Sequence, residues 1–121
     1  MDQPILWHNP RSSKSRQALK LLQERGVEPE IRKYLEQPPS FEELSHVLDL
    51  LGFEPRDLMR KKEAPYKELS LKDPNKTREE LIQAMVEHPI LIERPVLIVG
   101  QKAVLGRPPE RVLELVSARA R

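Results

Sequence analysis

The sequence of 121 residues predicts an α/β fold with a mixed sheet, and three features predict it. The chain begins with the pattern of a strand, a helix and a strand, continues with amphipathic helices, and closes with a β-hairpin and a helix. A strand-helix-strand unit pairs its strands in parallel, whereas a hairpin pairs them antiparallel. This order of elements leaves several folds of the α/β class open.

The opening unit is predicted as a strand at 4–8, a helix at 13–25 and a strand at 30–34. Ala18, Leu19 and Leu22 fall on one face of the helix, which indicates the side that packs against the sheet. Gly26 follows the helix and is typical of a left-handed cap.

The middle of the chain contains two capping boxes, at 40–43 and at 77–80. The first opens a helix that ends at Gly52, and the second opens a helix that runs to His88 and Pro89. A shorter helical turn is predicted at 56–60. This region is therefore predicted to be helical.

The end of the chain is predicted as a strand at 96–99, a turn, a strand at 103–105 and a last helix. Pro108 and Pro109 start that helix, since proline is favoured in a first turn. Its apolar positions are Val112, Leu115 and Val116, with basic Arg119 and Arg121 beyond them.

Composition excludes several classes of function. The chain contains no cysteine, which excludes disulfides, thiolate metal sites and thiol catalysis by this chain. Its formal net charge of +2 is weak support for nucleic-acid binding, and we expect no direct contact with nucleic acid. No apolar stretch approaches the roughly 20 residues that span a bilayer. We expect a cytoplasmic protein that does not bind membranes.

The loop at 8–16 leaves a predicted strand and opens a predicted helix. Unpaired amides and the positive end of the helix dipole attract anions at such a place. Arg11, Lys14 and Arg16 add positive charge, and Ser12 and its serine neighbours add hydroxyl groups. The alternative is ordinary N-capping by serine beside solvated charges.

The histidines are weak candidates for chemistry. His8, at the end of an apolar strand, could orient a neighbouring group, but a histidine there is more often a packed residue. His46 and His88 fall on separate predicted helices, and no ligand spacing typical of a metal set accompanies them. We expect no metal site.

Three arginines lie beside turns or backbone breaks: Arg60, Arg94 before Pro95, and Arg107 before Pro108. Rigid backbone can aim a side chain into a cleft, and the planar guanidinium pairs with two oxygens of a tetrahedral oxyanion. Taken singly, each is better explained as a solvated or salt-bridged surface residue.

Five segments together resemble the glutaredoxin-dependent arsenate reductase family over nearly the whole chain. They are HNPRSSKSRQAL, YLEQPPSFEEL, LMRKKEAPYKEL, EHPILIERPVLI and LGRPPERVLEL. The resemblance implies a single domain with a thioredoxin-like core and a mixed four-stranded sheet. It also implies a helical insertion at about 38–90 and a cis peptide bond between Arg94 and Pro95. We expect a monomer.

The resemblance also implies roles for site residues. The family loop reads His-Asn-Pro-x-Cys, its cysteine attacks arsenate, and glutathione and glutaredoxin act as co-substrates without any bound cofactor. Ser12 stands at the cysteine position here. The oxyanion-binding arginines correspond to Arg60, Arg94 and Arg107, while His8 and Ser15 match positions that lower the pKa of the cysteine.

Because oxygen cannot replace sulfur in thiol redox chemistry, we expect oxyanion binding without arsenate turnover by this chain. Ser12 is then either an engineered replacement of cysteine or the mark of a natural pseudoenzyme. Spx-like transcription regulators, which contact RNA polymerase, give a non-enzymatic alternative. They favour a Cys-x-x-Cys switch where this chain has Ser12 and Ser15. A hydrolytic Ser12 with His8 as its base is a third reading.

Overall fold

The computed structural model describes residues 2–116 and contains a four-stranded sheet. Its strands are β1 (Ile5–Trp7), β2 (Glu30–Arg32), β3 (Val96–Val99) and β4 (Lys102–Leu105), in the order β2-β1-β3-β4. β1 pairs in parallel with β2 and antiparallel with β3, and β3 pairs antiparallel with β4. The predicted mixed sheet is therefore confirmed.

The helix α1 (Ser13–Glu24) connects the two parallel strands. Its buried face packs on the core of the compact unit that contains the sheet, which we call the sheet unit. Both α1 and β2 end slightly earlier than predicted. Arg25 caps α1 and Gly26 follows with a φ of +77°. β2 ends at Arg32, because the carbonyl of Lys33 accepts hydrogen bonds from two later amides and closes a turn.

The core of the sheet unit is formed by aliphatic side chains from the strands, α1 and the last helix. Leu6 and Leu97 are paired across β1 and β3, and both are fully buried. The last helix was predicted to be an α-helix. This prediction was wrong in the type of helix, because Pro109–Leu115 is a 3₁₀-helix. Its bonds join residues three apart, as from the Val116 amide to the Leu113 carbonyl. Arg119 and Arg121, which were predicted to follow this helix, lie outside the described residues.

The peptide bond between Arg94 and Pro95 is cis, as predicted. The bond between Arg107 and Pro108 is also cis, which was not predicted. Gly106 lies between these two places and donates its amide to the carbonyl of Pro95. A Cβ atom on Gly106 would approach the Pro95 ring to 2.8 Å, so this contact requires glycine.

Residues Pro38–Glu93 form a second compact unit, whereas the sheet unit comprises the chain up to Gln37 and from Arg94 onward. The helices of the second unit are α2 (Phe41–Leu51), α3 (Ala64–Glu68) and α4 (Arg78–Glu87), with 3₁₀-helices at Pro55–Leu58 and Pro89–Leu91. Both predicted capping boxes are present. The turn predicted at 56–60 is the first 3₁₀-helix, and α3 was not predicted. No helix among the described residues is long and apolar enough to cross a bilayer.

Candidate functional site

The loop between β1 and α1 begins at His8, directly after the strand. The His8 amide donates a hydrogen bond of 2.9 Å to the Arg32 carbonyl, which extends the pairing of β1 with β2 by one residue. The carboxyl ends of these parallel strands therefore meet beside the loop, the edge of an α/β sheet at which ligands commonly bind.

Ser12 is the N-cap of α1, and its side chain is turned to the helix. Its oxygen accepts a hydrogen bond of 3.3 Å from the Ser15 amide, and its own amide donates to the Asn9 carbonyl at 3.0 Å. The Ser15 oxygen in turn accepts from the Asn9 amide at 3.2 Å. Ser12 is 6% exposed and Ser15 is fully buried. These bonds hold the loop in one conformation against the start of the helix.

The start of α1 is electrically positive. Its first turn contains no acidic residue, and the amides of Ser13 and Lys14 have no acceptor within the helix. Arg11, Lys14 and Arg16 are exposed, and the Arg16 guanidinium donates to the Pro10 carbonyl at 3.0 Å. Directed amides and nearby cations together provide the features of an anion-binding helix terminus.

His8 is buried, with 6% of its surface exposed, and its Nδ1 forms no hydrogen bond with any residue between 2 and 116. Burial lowers the pKa of His8 below 6.5, and the positive charges of Lys33 and Arg16 lower it further. Burial and these charges therefore favour the neutral imidazole. A hydrolytic pair needs a hydrogen bond between the base and the serine. Among residues 2–116 the Ser12 oxygen accepts from the Ser15 amide, and no hydrogen bond joins it to His8.

A cavity of about 180 Å³ adjoins this loop. His8, Asn9 and Arg11 line one part of it, and Lys33 and Glu36 line another. Sequence reasoning did not select Lys33. The signal for it was its position just after β2, because parallel strands bring their carboxyl ends to the same edge of a sheet.

The structure brings two of the three predicted arginines together. The Arg107 guanidinium donates a hydrogen bond of 3.1 Å to the carbonyl of Arg94. Arg94 is half-buried and Arg107 is exposed, and each precedes a cis proline in the sheet unit. The Arg94 carbonyl thus orients the Arg107 side chain.

Arg60 belongs to the Pro38–Glu93 unit. Its guanidinium forms an ion pair of 2.9 Å with Glu63 and a long hydrogen bond of 3.4 Å to the Ile90 carbonyl. Its backbone amide donates to the Leu91 carbonyl at 2.7 Å. Arg60 is therefore anchored within its own unit, and its part in anion binding stays a prediction.

No metal site was expected from the sequence, because His46 and His88 were predicted to lie on separate helices. His46 lies in α2 and His88 caps the end of α4. Between residues 2 and 116, no three histidine, cysteine or acidic side chains are grouped closely enough to hold a metal ion.

Comparisons with known proteins identify the family. A model of the ArsC family matches residues 7–115. The uncharacterised protein YfgD of Escherichia coli strain K12 is 54% identical over 112 residues, which cover 92% of this chain and 94% of that protein. An arsenate reductase of Neisseria meningitidis serogroup A is 46% identical over 108 residues, with coverages of 88% and 92%. The structure of an arsenate reductase from Vibrio cholerae matches with a TM-score of 0.91 and 48% identity, covering 93% of this chain and 97% of that one. The chain therefore belongs to the ArsC family and has the thioredoxin-like α/β fold of its arsenate reductases.

Proposed function

We propose that this chain binds arsenate or a similar tetrahedral oxyanion at the loop 8–16 and does not reduce it. The observation that carries the proposal is the position of Ser12, buried as the N-cap of α1 in the loop at which the resemblance assigns a nucleophilic cysteine. The fold around that residue matches arsenate reductases, whereas the reactive sulfur is absent from the whole sequence.

Binding is supported by the donors around Ser12. The amides of Ser13 and Lys14 have no acceptor within the helix, and no carboxylate opposes an anion in the first turn. The hydrogen bonds of Ser12 and Ser15 order the loop before any ligand arrives. An anion therefore meets donors that are already oriented, which lowers the entropic cost of binding.

The arginines are proposed as the second part of the anion site. Arg107 is oriented by the Arg94 carbonyl, and a guanidinium offers two parallel hydrogen bonds to an oxyanion. The resemblance assigns Arg60 to the same anion. We propose all three as oxyanion ligands, since charge-assisted hydrogen bonds are the strongest that side chains make with such groups.

Reduction of arsenate by this mechanism requires a cysteine thiol on the protein, and the chain has no cysteine. In the reaction implied by the resemblance, a thiolate forms a bond to arsenic and an arsenate oxygen leaves as water after protonation. The glutathione thiol then gives up its proton and attacks the protein sulfur. Arsenic leaves with two electrons as arsenite, and the two sulfurs remain joined in a mixed disulfide that glutaredoxin reduces. A serine oxygen would form only an arsenate ester, whose hydrolysis returns arsenate with its oxidation state unchanged.

The test compares the chain as given with Ser12→Cys in an arsenate reduction assay supplied with glutathione and glutaredoxin. We expect turnover by Ser12→Cys alone, because the helix terminus and nearby cations favour a thiolate at that position. Ser13→Cys is the matched control, with a thiol one residue away at an exposed position.

Two results would contradict the proposal. Turnover by the unaltered chain would show that Ser12 does not prevent reduction. A folded Ser12→Cys variant without turnover would remove arsenate as a substrate, and binding of arsenate, phosphate and sulfate to the unaltered chain, measured by calorimetry, tests the anion site separately.

A further inference from the structure

A second cavity, of about 440 Å³, lies within the Pro38–Glu93 unit and contains none of the residues discussed above as anion ligands. Phe41, at the start of α2, contributes to an apolar lining with Leu69, Leu71 and Ala84. Ligand cavities of roughly 300–1,000 Å³ are typical of specific sites in proteins. We call this cavity the α4 groove.

The rim of the α4 groove is acidic. Glu79, Glu80 and Glu87 line it against one lysine, Lys76. Glu79 and Glu87 lie eight residues apart on one face of α4, and Gln83 between them donates a hydrogen bond of 2.9 Å to Glu87. The groove therefore combines an apolar floor with an excess of negative charge.

One wall of the groove exposes a large apolar side chain on an ordered segment. Leu69 follows α3 and is 38% exposed, and Ser70 after it adopts a positive φ of 53°, which is uncommon for residues other than glycine. Arg56 donates hydrogen bonds to the carbonyls of Leu71 and Asp73 at 3.0 and 2.6 Å. Arg56 thus holds the backbone that follows Leu69, and the Leu69 amide itself donates to the Pro65 carbonyl at 2.9 Å.

We propose that the α4 groove binds a short peptide segment of a partner protein, in which apolar side chains are flanked by lysine or arginine. The apolar side chains would contact Leu69 and Ala84, and the flanking cations would pair with Glu79 and Glu87. Charge complementarity selects this occupant, because an acidic segment would be repelled by the rim and a purely polar one would leave Leu69 exposed. This inference is independent of oxyanion binding.

The probe is the peptide acetyl-Arg-Lys-Leu-Leu-Lys-Arg-amide, titrated into the full chain while backbone amide shifts are followed by NMR. We expect shifts concentrated at Leu69, Leu71, Gln83 and Ala84. Two matched peptides separate the contributions of shape and charge: one has both leucines replaced by serine, and one has all four cations replaced by acidic residues. Both should bind at least about tenfold more weakly, since each lacks half of the complementary surface.

Variants of the chain test the same assignment. The double substitution Glu79→Gln and Glu87→Gln should weaken probe binding about tenfold, and Leu69→Ser should weaken it similarly. The control is Glu24→Gln with Glu42→Gln, which removes the same charge from exposed glutamates outside the groove. Equal loss in the control, equal binding of the serine or acidic peptide, or no binding of the probe would overturn the proposal.

Discussion

The side-chain oxygen of Ser15 accepts a hydrogen bond of 3.2 Å from the main-chain amide of Asn9, six residues earlier in the sequence. This bond connects the first turn of α1 to the loop that precedes it. Ser15 is fully buried and Asn9 is half-buried, so the bond is partly shielded from water. The resemblance assigns Ser15 an influence on a thiol, but in this chain its demonstrable contact is structural.

Replacement of Ser15 should destabilise the fold. Ser15→Ala removes the acceptor of the Asn9 amide in a part-buried bond, and the loss of such a hydrogen bond costs about 0.5–1.5 kcal/mol. Urea unfolding followed by circular dichroism measures the loss. Ser13→Ala is the control, because Ser13 is exposed and should change stability by less than about 0.5 kcal/mol. Equal unfolding midpoints for the two variants would contradict this account of the loop.

The stability of the chain should depend on pH through His8. Its pKa is lowered in the folded state, mainly by burial and then by Lys33 and Arg16. Below the unfolded value of 6.5, the unfolded chain therefore binds more protons, and stability falls as the pH falls from 6.5 towards the folded pKa. Above 6.5 this contribution is fully present. His8→Gln should remove this part of the pH dependence, as measured by unfolding between pH 5 and 8.

Direct titration of His8 by NMR provides the control for that prediction. Lys33→Gln should raise the pKa of His8, because one of the positive charges that disfavour the imidazolium is removed. The matched variant Lys20→Gln removes an exposed lysine of α1 and should leave the titration unchanged. A His8 titration at or above 6.5 would show that burial does not act as described.

Each proposed anion ligand can be tested by removing its guanidinium. Arg60→Ala, Arg94→Ala and Arg107→Ala should each weaken arsenate, phosphate or sulfate binding by roughly tenfold or more, the loss expected for a hydrogen bond to a charged group. Calorimetric titration measures the change, and urea unfolding confirms that each variant is folded. Arg111→Ala is the control, because Arg111 is an exposed arginine paired with Glu114. Unchanged affinity would remove the substituted arginine from the site.

Gly106 should not tolerate a side chain. A Cβ atom there would lie 2.8 Å from Cγ of Pro95 and 3.0 Å from Cγ1 of Val112. Gly106→Ala should therefore cost about 1–3 kcal/mol through overpacking, measured by urea unfolding. Gly26→Asn is the comparison, since Gly26 has open space around it and asparagine tolerates its positive φ. Similar losses for the two variants would contradict the overpacking argument.

Local signals predicted α2 and α4 of the second unit well, missed α3, and gave the last helix the wrong type. The Ser40 and Thr77 capping boxes depend on residues three apart in the chain, so both can be recognised from the sequence alone. The helix at Pro109–Leu115 has no such capping box, and its buried Val112 belongs to the core of the sheet unit. A short apolar pattern does not distinguish bonds over three residues from bonds over four.

The sequence by itself determined the α/β class, the serines and cations of the loop at 8–16 and the absence of a thiol, because these follow from periodicity and residue type. Only the tertiary structure decided that the Arg94 carbonyl orients Arg107. It also decided that acidic and apolar side chains meet in the α4 groove. These arrangements join residues far apart in the chain, and their proximity arises from strand pairing and helix packing that no local pattern encodes.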